Sequence, residues 1–344
     1  MGSLLDRFLG RRPAADPPKT YPLRLDFKVP SRPQLDLLVT MWPSFPHFAK
    51  FATDKRLAGV RLNTAMVKVD EIGEELGKAA AIGGVPFWVD VKGRQLRVVE
   101  SRPYKDHLEL ILNHPIRVQT PVEVIFKAGE DWAVLKEVAN HGHRLVFDGG
   151  PAFMVKDGES LHIRHPSLEV GGDQFSEAEL GKISAARKAG ITRFFLSYVQ
   201  NQADVDEFRG LVGKDAQVIL KIEDNKGLRY VAEEFRKTPG TSLMAARGDL
   251  YVEVERPHRI AEALRLIIGK DPEASVGSRI LLSVVNSPVP SCADFLEIAW
   301  LVDQGYRRFM LCDELCLKSP LLSAAVDAFD QFRQDYHPGG ARST

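Results

Sequence analysis

The sequence predicts an α/β protein, namely a (β/α)8 TIM barrel with a small β domain inserted after its third strand. Three observations indicate this fold class. Eight short apolar runs follow one another along the chain, amphipathic stretches of helical period separate most of them, and one interval contains short alternating runs instead. A chain of 344 residues is long enough for one barrel that carries an inserted module.

The eight strand candidates lie between Leu37 and Glu314. In order they are LLVTMW (37–42), GVRLN (59–63), FWVDV (87–91), RFFLSYV (193–199), QVILKIE (217–223), TSLMAARGD (241–249), RILLSVV (279–285) and RFMLCDE (308–314). The helical pattern before the fourth strand begins at a predicted capping box of Ser176 and Glu179, and another covers ADFLEIAWLVDQG (293–305). Strands that alternate with helices in this way are typical of a parallel barrel.

The segment between Asp90 and about Gly172 departs from this alternation. It contains the short runs LELIL (108–112), VEVIF (122–126), HRLVF (143–147) and SLHIR (160–164), with Gly, Pro, Asn and Asp between them. This pattern predicts a small β module, and its place after the third strand predicts a lid over the strand C-termini. The predicted organisation is an N-terminal extension (1–33), a first barrel part (34–92), the inserted β lid domain (93–172) and a second barrel part (173–338).

The balance of charged residues excludes a strong net electrostatic field around the protein. Lysine and arginine number 46, and aspartate and glutamate also number 46, so any anion site must be local. The three cysteines, Cys292, Cys312 and Cys316, lack zinc-type spacing and indicate a reducing compartment. No apolar run approaches the ~18 residues of a membrane span. The sequence therefore predicts a cytoplasmic protein without nucleic-acid or membrane partners, and a homo-oligomer is compatible with it.

The segment LKIEDNKG carries the most informative charges. Lys221 and Glu223 are two residues apart, so on a strand both side chains point to the same face. Asp249 closes the next strand candidate. Because the C-terminal ends of barrel strands build the active site, these groups predict a divalent metal site beside an anionic substrate.

Seven segments occur in an order that resembles pyruvate kinase. They are VTMWPS, VRLN, VDVKGRQLR, LKIEDNKG, MAARGDLYVEV, a strand ending in Ser283, and MLCDE. The resemblance extends from about Leu37 to Tyr336 and includes the inserted β module. It implies the same barrel, and the C-terminal regulatory domain of the family is expected to be absent from this sequence.

The resemblance implies roles for most of a catalytic site. Glu223 and Asp249 match the carboxylates that hold the divalent metal, Mg²⁺ or Mn²⁺, which suits oxygen ligands. Lys221 matches the lysine that stabilises the transferring phosphoryl group and the enolate. Arg61 matches the phosphate-binding arginine.

The substrate-binding positions follow from the same comparison. The backbone of Ala246, Arg247 and Gly248 matches the loop that receives the substrate carboxylate, and Gly248 allows a close approach. Ser283 stands where the family has a threonine, so a catalytic hydroxyl near the substrate methylene is expected there. Asn63 is retained after the second strand.

Several positions depart from the family pattern. Ala65 and Val91 stand where the family has hydroxyl-bearing ligands of a bound K⁺ ion. Gln95 stands where potassium-dependent members have a glutamate and potassium-independent members have a lysine. No K⁺ requirement is therefore expected. Pro43 and Arg97 match nucleotide contacts, but Met66 replaces the family's histidine and the loop near 165–172 is short. Arg97 could equally be a hinge residue of the lid.

Three functional hypotheses follow. The first is a pyruvate kinase-like, Mg²⁺-dependent phosphotransferase that acts on phosphoenolpyruvate or pyruvate, with ADP or ATP as the partner that the resemblance implies. The second is a carbon-carbon lyase or aldolase of the phosphoenolpyruvate/pyruvate barrel group, which would not need the extra cation Lys221. The third is a catalytically silent metabolite-binding relative. The sequence retains the acids Glu223 and Asp249 and the cations Lys221 and Arg61. Their retention argues against a silent site, because unpaired buried charge lowers stability.

Overall fold

Sixteen strands occur in the computed structural model, which describes residues 34–336. In chain order they are β1 (Asp36–Thr40), β2 (Gly59–Asn63), β3 (Phe87–Val91), β4 (Val98–Pro103), β5 (His107–Leu112), β6 (Ile116–Arg117), β7 (Val122–Phe126), β8 (Asp131–Ala139), β9 (Arg144–Asp148), β10 (Leu161–His162), β11 (Glu169–Val170), β12 (Arg193–Leu196), β13 (Gln217–Ile222), β14 (Thr241–Ala246), β15 (Ser275–Gly277) and β16 (Arg308–Met310). The predicted extension 1–33 and the last two residues of the predicted second barrel part lie outside the described range.

Eight of these strands close a parallel barrel in the order β1-β2-β3-β12-β13-β14-β15-β16. Closure occurs between the first and last strands, where Leu37 pairs with Phe309. The predicted fold class is confirmed, because the remaining strands lie between β3 and β12 and form separate sheets.

Ten α-helices surround or cap the barrel within residues 34–336. They are α1 (Phe48–Ala52), α2 (Ile72–Ile82), α3 (Glu177–Lys188), α4 (Gln202–Val212), α5 (Asn225–Glu233), α6 (Arg247–Glu253), α7 (Ile260–Lys270), α8 (Cys292–Gln304), α9 (Asp313–Cys316) and α10 (Ser319–Asp335). None of them is long and apolar enough to cross a membrane.

Only one of the two hydrogen bonds of the predicted capping box at α3 is present. The Ser176 hydroxyl accepts the Glu179 backbone N–H at 3.2 Å, as the sequence predicts. The Glu179 carboxylate instead accepts the backbone N–H of Lys92 at 3.0 Å and the ammonium group of Lys182 at 2.9 Å. Glu179 therefore ties α3 to the end of β3, where the candidate site begins.

The two-residue repeat of the strands separates the barrel interior from its outer surface. On β13, Val218 and Leu220 pack in the large cluster that the strands share with the helices, whereas Ile219 points to the interior. The interior apolar layer consists of Leu38, Trp88, Phe195, Ile219, Met244, Ala246 and Met310. A buried polar layer lies above it, formed by residues two positions after Leu38, Trp88, Phe195 and Ile219, namely Thr40, Asp90, Ser197 and Lys221.

The inserted domain has its own sheet and its own core. Six antiparallel strands are arranged in the order β10-β7-β8-β9-β5-β4, and β11 pairs with β6 beside them. Val124, Phe126, Leu135 and Leu145 are among its fully buried side chains. This arrangement presents β10, at the sheet edge, to the barrel.

The predicted seventh strand, RILLSVV, is wrong. Strand β15 ends at Gly277, and Ser278, Arg279 and Leu281 have positive φ values of 65°, 63° and 53°. Residues Leu282–Val285 form a 3-10 helix. Burial of the apolar side chains produces a run that resembles a strand, but a left-handed backbone cannot continue one.

The predicted sixth and eighth strands are too long at their C-terminal ends. β14 ends at Ala246, and the RGD segment forms the first turn of α6. β16 ends at Met310, and Asp313 begins α9. The acids expected at these strand ends therefore lie on short helices.

Candidate active site

The buried carboxylate of Asp90, near the end of β3, is the hub of the candidate site. One of its oxygens accepts Arg61 Nε at 3.0 Å and Lys92 Nζ at 2.7 Å and lies 3.5 Å from Lys221 Nζ. The other oxygen accepts the Ser197 hydroxyl at 3.1 Å. Burial raises the pKa of Asp90, but the charges of Arg61, Lys221 and Lys92 outweigh it and hold that pKa well below its usual value.

The guanidinium of Arg61 is held on three sides. Its Nε and Nη2 donate to Asp90, and its Nη1 donates to the Thr40 hydroxyl at 2.9 Å and to Asp313 at 2.8 Å. Asn63 donates to the other Asp313 oxygen at 2.6 Å. Asp313 was not among the predicted site residues, although its place just after the eighth strand was a usable signal. It fixes Arg61 and Asn63 from beyond the end of β16, which is two strands away from β2 around the barrel.

Lys92 adds an unpredicted cation beside Asp90. Its side chain is 5% exposed, and its backbone is held by Glu179. Burial, together with the charges of Lys221 and Arg61, lowers the pKa of Lys92 to about 7 against the opposing effect of Asp90. The ammonium group of Lys92 is therefore the most readily deprotonated of the three cations.

Lys221 and Glu223 project together from the end of β13, as their spacing predicts. The Lys221 ammonium is 3.0 Å from Glu223 Oε1 and donates to the Ser197 hydroxyl at 2.8 Å. The second Glu223 oxygen accepts the backbone N–H of Tyr198 at 2.7 Å. Burial and the nearby charge of Asp249 raise the pKa of Glu223, although Lys221 opposes this shift.

Asp249 reaches the same site from the first turn of α6. One carboxylate oxygen lies 3.3 Å from His162 Nε2, and the other accepts Gln95 Nε2 at 3.5 Å. Burial raises the pKa of Asp249, but the contact with His162 outweighs it, so the pKa is lowered. The charge of Asp249 also acts on Glu223, the other carboxylate of the predicted metal pair.

His162 enters the site from the inserted domain. Its ring is 1% exposed, and its Nδ1 lies 2.7 Å from Glu253 Oε1 and 3.3 Å from the Tyr198 hydroxyl. Burial lowers the pKa of His162, but its contacts with Asp249 and Glu253 outweigh this and raise the pKa to about 10. Sequence reasoning missed His162, because a histidine in a short alternating run carries no sign of its partner on a distant helix.

Comparisons with known proteins agree with this architecture. The domain family described as pyruvate kinase, barrel domain, matches residues 152–317. The chain is 25% identical over 305 residues to the pyruvate kinase of Methanocaldococcus jannaschii, an alignment that covers 84% of this chain. Most of the chain is therefore similar to pyruvate kinases. The pyruvate kinase of Thermoplasma acidophilum is 25% identical over 300 residues, and pyruvate kinase 2 of Synechocystis is 33% identical over 150 residues.

The chain spans only part of these family members. The alignments cover 67% of the Methanocaldococcus protein, 54% of the Thermoplasma protein and 24% of the Synechocystis protein. On the side of this chain, the three alignments cover 84%, 81% and 40% of the residues. The likeness therefore concerns the barrel and the inserted domain that the structure describes.

The segment that was expected to receive the substrate carboxylate lies at the junction of β14 and α6. Ala246 is the last residue of β14, and Arg247 and Gly248 open α6. The Arg247 guanidinium donates to Glu297 and to the Ser278 carbonyl oxygen at 2.6 Å. A Cβ atom on Gly248 would lie 3.3 Å from Ser278 Oγ, so glycine permits the close approach of this turn to β15.

Ser283 does not lie at a strand end. Its hydroxyl donates to Asp294 and accepts the backbone N–H of Ser291 at 2.9 Å, so it supports the start of α8. The expected position was wrong because the seventh strand was placed too late in the chain. Ser278, directly after β15, is the hydroxyl residue that the structure places beside Gly248.

The two predicted nucleotide contacts lie in different surroundings. Pro43 is buried shortly after β1. Arg97 donates to Gln95 Oε1 at 2.7 Å and to the Gly158 carbonyl oxygen at 2.5 Å. Since Gln95 also contacts Asp249, Arg97 joins the base of the inserted domain to the barrel site. This geometry favours its interpretation as a hinge residue.

The donor set of Glu223 and Asp249 fits a divalent cation. Within residues 34–336, no group of three His, Cys, Asp or Glu side chains is already arranged to hold a metal ion. Glu223 Oε2 accepts the Tyr198 N–H, Glu223 Oε1 lies 3.0 Å from the Lys221 ammonium and Asp249 Oδ2 accepts Gln95 Nε2. A carboxylate oxygen can accept a second partner. Mg²⁺ usually takes one or two carboxylates and completes its shell with water and substrate oxygens.

Proposed function

We propose that this protein is a pyruvate kinase-like phosphotransferase that requires Mg²⁺ or Mn²⁺ and acts at the phosphate of phosphoenolpyruvate or the enolate of pyruvate. One observation carries the proposal. The Lys221 ammonium is held between Asp90 and Glu223, and Arg61 shares the same Asp90 carboxylate, at the barrel end where Asp249 lies. Phosphoryl transfer needs fixed cations and a metal-binding carboxylate pair at one place.

Arg61 and Lys221 would act on the phosphoryl group. Their side chains are 6% and 7% exposed, so they form a rigid, poorly hydrated pair of charges. Charges that are positioned before the reaction stabilise developing negative charge without reorganisation. The bonds that Asp90 and Asp313 make to Arg61 keep its guanidinium in place when no anion is bound.

The remaining residues would bind the metal and the substrate carboxylate. Glu223 and Asp249 would hold the cation, which neutralises charge on the oxygens of the phosphoryl group and the enolate when bound. The backbone from Ala246 to Gly248 would receive the substrate carboxylate, as in the family's motif. Ser278 would bring a hydroxyl to the same edge of the site, in place of the expected Ser283.

The metal assignment predicts a loss of ligand binding. The double variant Glu223→Gln, Asp249→Asn removes both charged ligands, so metal-dependent binding of oxalate, a mimic of the pyruvate enolate, should disappear in calorimetry. The control is Asp206→Asn, Glu234→Gln, in which both acids are exposed. This control should bind oxalate like the wild type. Wild-type, metal-dependent affinity in the site variant would show that the assignment is wrong.

A second prediction concerns the monovalent cation. Ala65 and Val91 offer no side-chain oxygen, and the ammonium group of Lys92 already lies 2.7 Å from Asp90. The reaction rate should therefore be the same in potassium and tetramethylammonium chloride at equal ionic strength. Strong activation by K⁺ alone would contradict this prediction.

Binding of a nucleotide should be weak. Arg97 is engaged by Gln95 and Gly158, and Met66 stands at the family's histidine position.

A thermal-shift panel of phosphoenolpyruvate, pyruvate, oxalate, ADP and ATP, with and without Mg²⁺, tests the proposal as a whole. Stabilisation by oxalate with Mg²⁺ but not by ADP would indicate a different phosphate acceptor. No stabilisation by any of them would favour the silent relative.

A further inference from the structure

The imidazole of His162 has a buried nitrogen without a hydrogen-bond partner. Nε2 is fully enclosed, yet no acceptor or donor meets it in hydrogen-bonding geometry. Asp249 Oδ1 is 3.3 Å away but lies off the direction that a ring N–H would need. A buried nitrogen atom without a partner is costly and requires an explanation.

Contacts at Nδ1 hold the imidazole ring of His162 in one orientation. Nδ1 lies 2.7 Å from Glu253 Oε1, and the Tyr198 hydroxyl is 3.3 Å from the same nitrogen. In the neutral tautomer that keeps its proton on Nδ1, facing Glu253, Nε2 carries the lone pair that a metal ion needs. Metal-binding histidines commonly have such a carboxylate on their second nitrogen.

The separation of the two candidate ligand atoms suits one shared cation. Ligand atoms at about 2.1 Å from an ion lie roughly 3.0 Å apart at an octahedral right angle and roughly 3.4 Å apart at a tetrahedral angle. The separation of 3.3 Å between His162 Nε2 and Asp249 Oδ1 falls within this interval.

We propose that His162 Nε2 is a ligand of the divalent cation, together with Asp249, and that Glu253 positions the ring. This inference rests on the proposed function in that Asp249 is taken to hold a metal. Because β10 belongs to the inserted domain, the cation would join that domain to the barrel.

A nitrogen ligand changes which metal is preferred. Mg²⁺ selects oxygen ligands, whereas imidazole favours first-row transition ions in the order Mn²⁺, Co²⁺, Ni²⁺. The site should therefore bind Co²⁺ and Mn²⁺ more tightly than Mg²⁺. His162→Gln should weaken Co²⁺ binding by about 100-fold and change Mg²⁺ binding by less than about 10-fold.

The direct test is pulsed electron paramagnetic resonance of Mn²⁺ bound to the full chain. We expect modulation from a coordinated imidazole nitrogen in the wild type and its loss in His162→Gln. His165→Gln is the matched control, because His165 is three residues further along the chain and binds Ser167 instead of Asp249. Glu253→Gln should keep the nitrogen signal and weaken Mn²⁺ binding roughly 10- to 100-fold.

Each outcome separates the inference from the proposed function. Bound Mn²⁺ without nitrogen modulation in the wild type would overturn the inference and show that His162 is only an ion-pair partner of Asp249, while the metal-dependent proposal would stand. A nitrogen signal that persists in His162→Gln would also overturn it. If the wild type binds no Mn²⁺ even with oxalate, both proposals are wrong. The wild-type spectrum decides the matter even if His162→Gln does not fold.

Discussion

Replacing Lys221 by methionine is expected to lower the rate of the chemical step by about 10²- to 10³-fold, a loss of ~3–4 kcal/mol of transition-state stabilisation. Methionine has a similar length but no charge. The fold should be retained, because Asp90 keeps Arg61 and Lys92 as partners and Glu223 keeps the backbone N–H of Tyr198. The loss would therefore come from the missing charge near the phosphoryl group and the enolate.

An assay that does not depend on the phosphate acceptor is the exchange of the pyruvate methyl protons with deuterated water, followed by nuclear magnetic resonance. It reports formation of the enolate, which the Lys221 ammonium should stabilise. Lys226→Met is the control, because Lys226 is exposed at the start of α5. Turnover that is unchanged in Lys221→Met would favour the carbon-carbon lyase or aldolase reading, in which this cation is not needed.

The variant Asp90→Asn should lower the free energy of unfolding by about 3–5 kcal/mol, since removal of one partner leaves buried charges without compensation. Asp90 is fully buried, and Arg61, Lys92 and Lys221 all lie around it. The pKa of Asp90 is lower in the folded protein than its unfolded value of about 3.9. Its stabilisation is therefore present above that value and is lost as the pH falls towards the folded pKa.

Chemical denaturation of the wild type and the variant measures this difference. The control is Asp148→Asn, which removes an ion pair with Lys136 whose side chains are 56% and 60% exposed. An exposed pair contributes about 1 kcal/mol at most. Adding Lys92→Met to Asp90→Asn should recover part of the lost stability, because one uncompensated cation is removed. Equal stability of Asp90→Asn and the wild type would show that the cluster around Asp90 is not held as described.

Local patterns were sufficient for seven of the eight barrel strands and for the charges on β13. The bounds of β2 and β3 coincide with the apolar runs that predicted them. Lys221 and Glu223 lie together because the two-residue repeat of a strand places them there whatever the remainder of the chain does. The strand ends were less predictable, since a buried helical turn and a buried strand have equally apolar sequences.

The partners of these charges could not be predicted from the chain alone. Asp313 contacts Arg61 across 252 positions of sequence, and His162 contacts Glu253 across 91. Such pairs form when barrel closure joins β1 to β16 and when the edge of the inserted sheet meets α6. Neither event leaves a periodic trace in the sequence. Local spacing determines which side chains enter the barrel mouth, and long-range packing determines which opposite charge each of them meets.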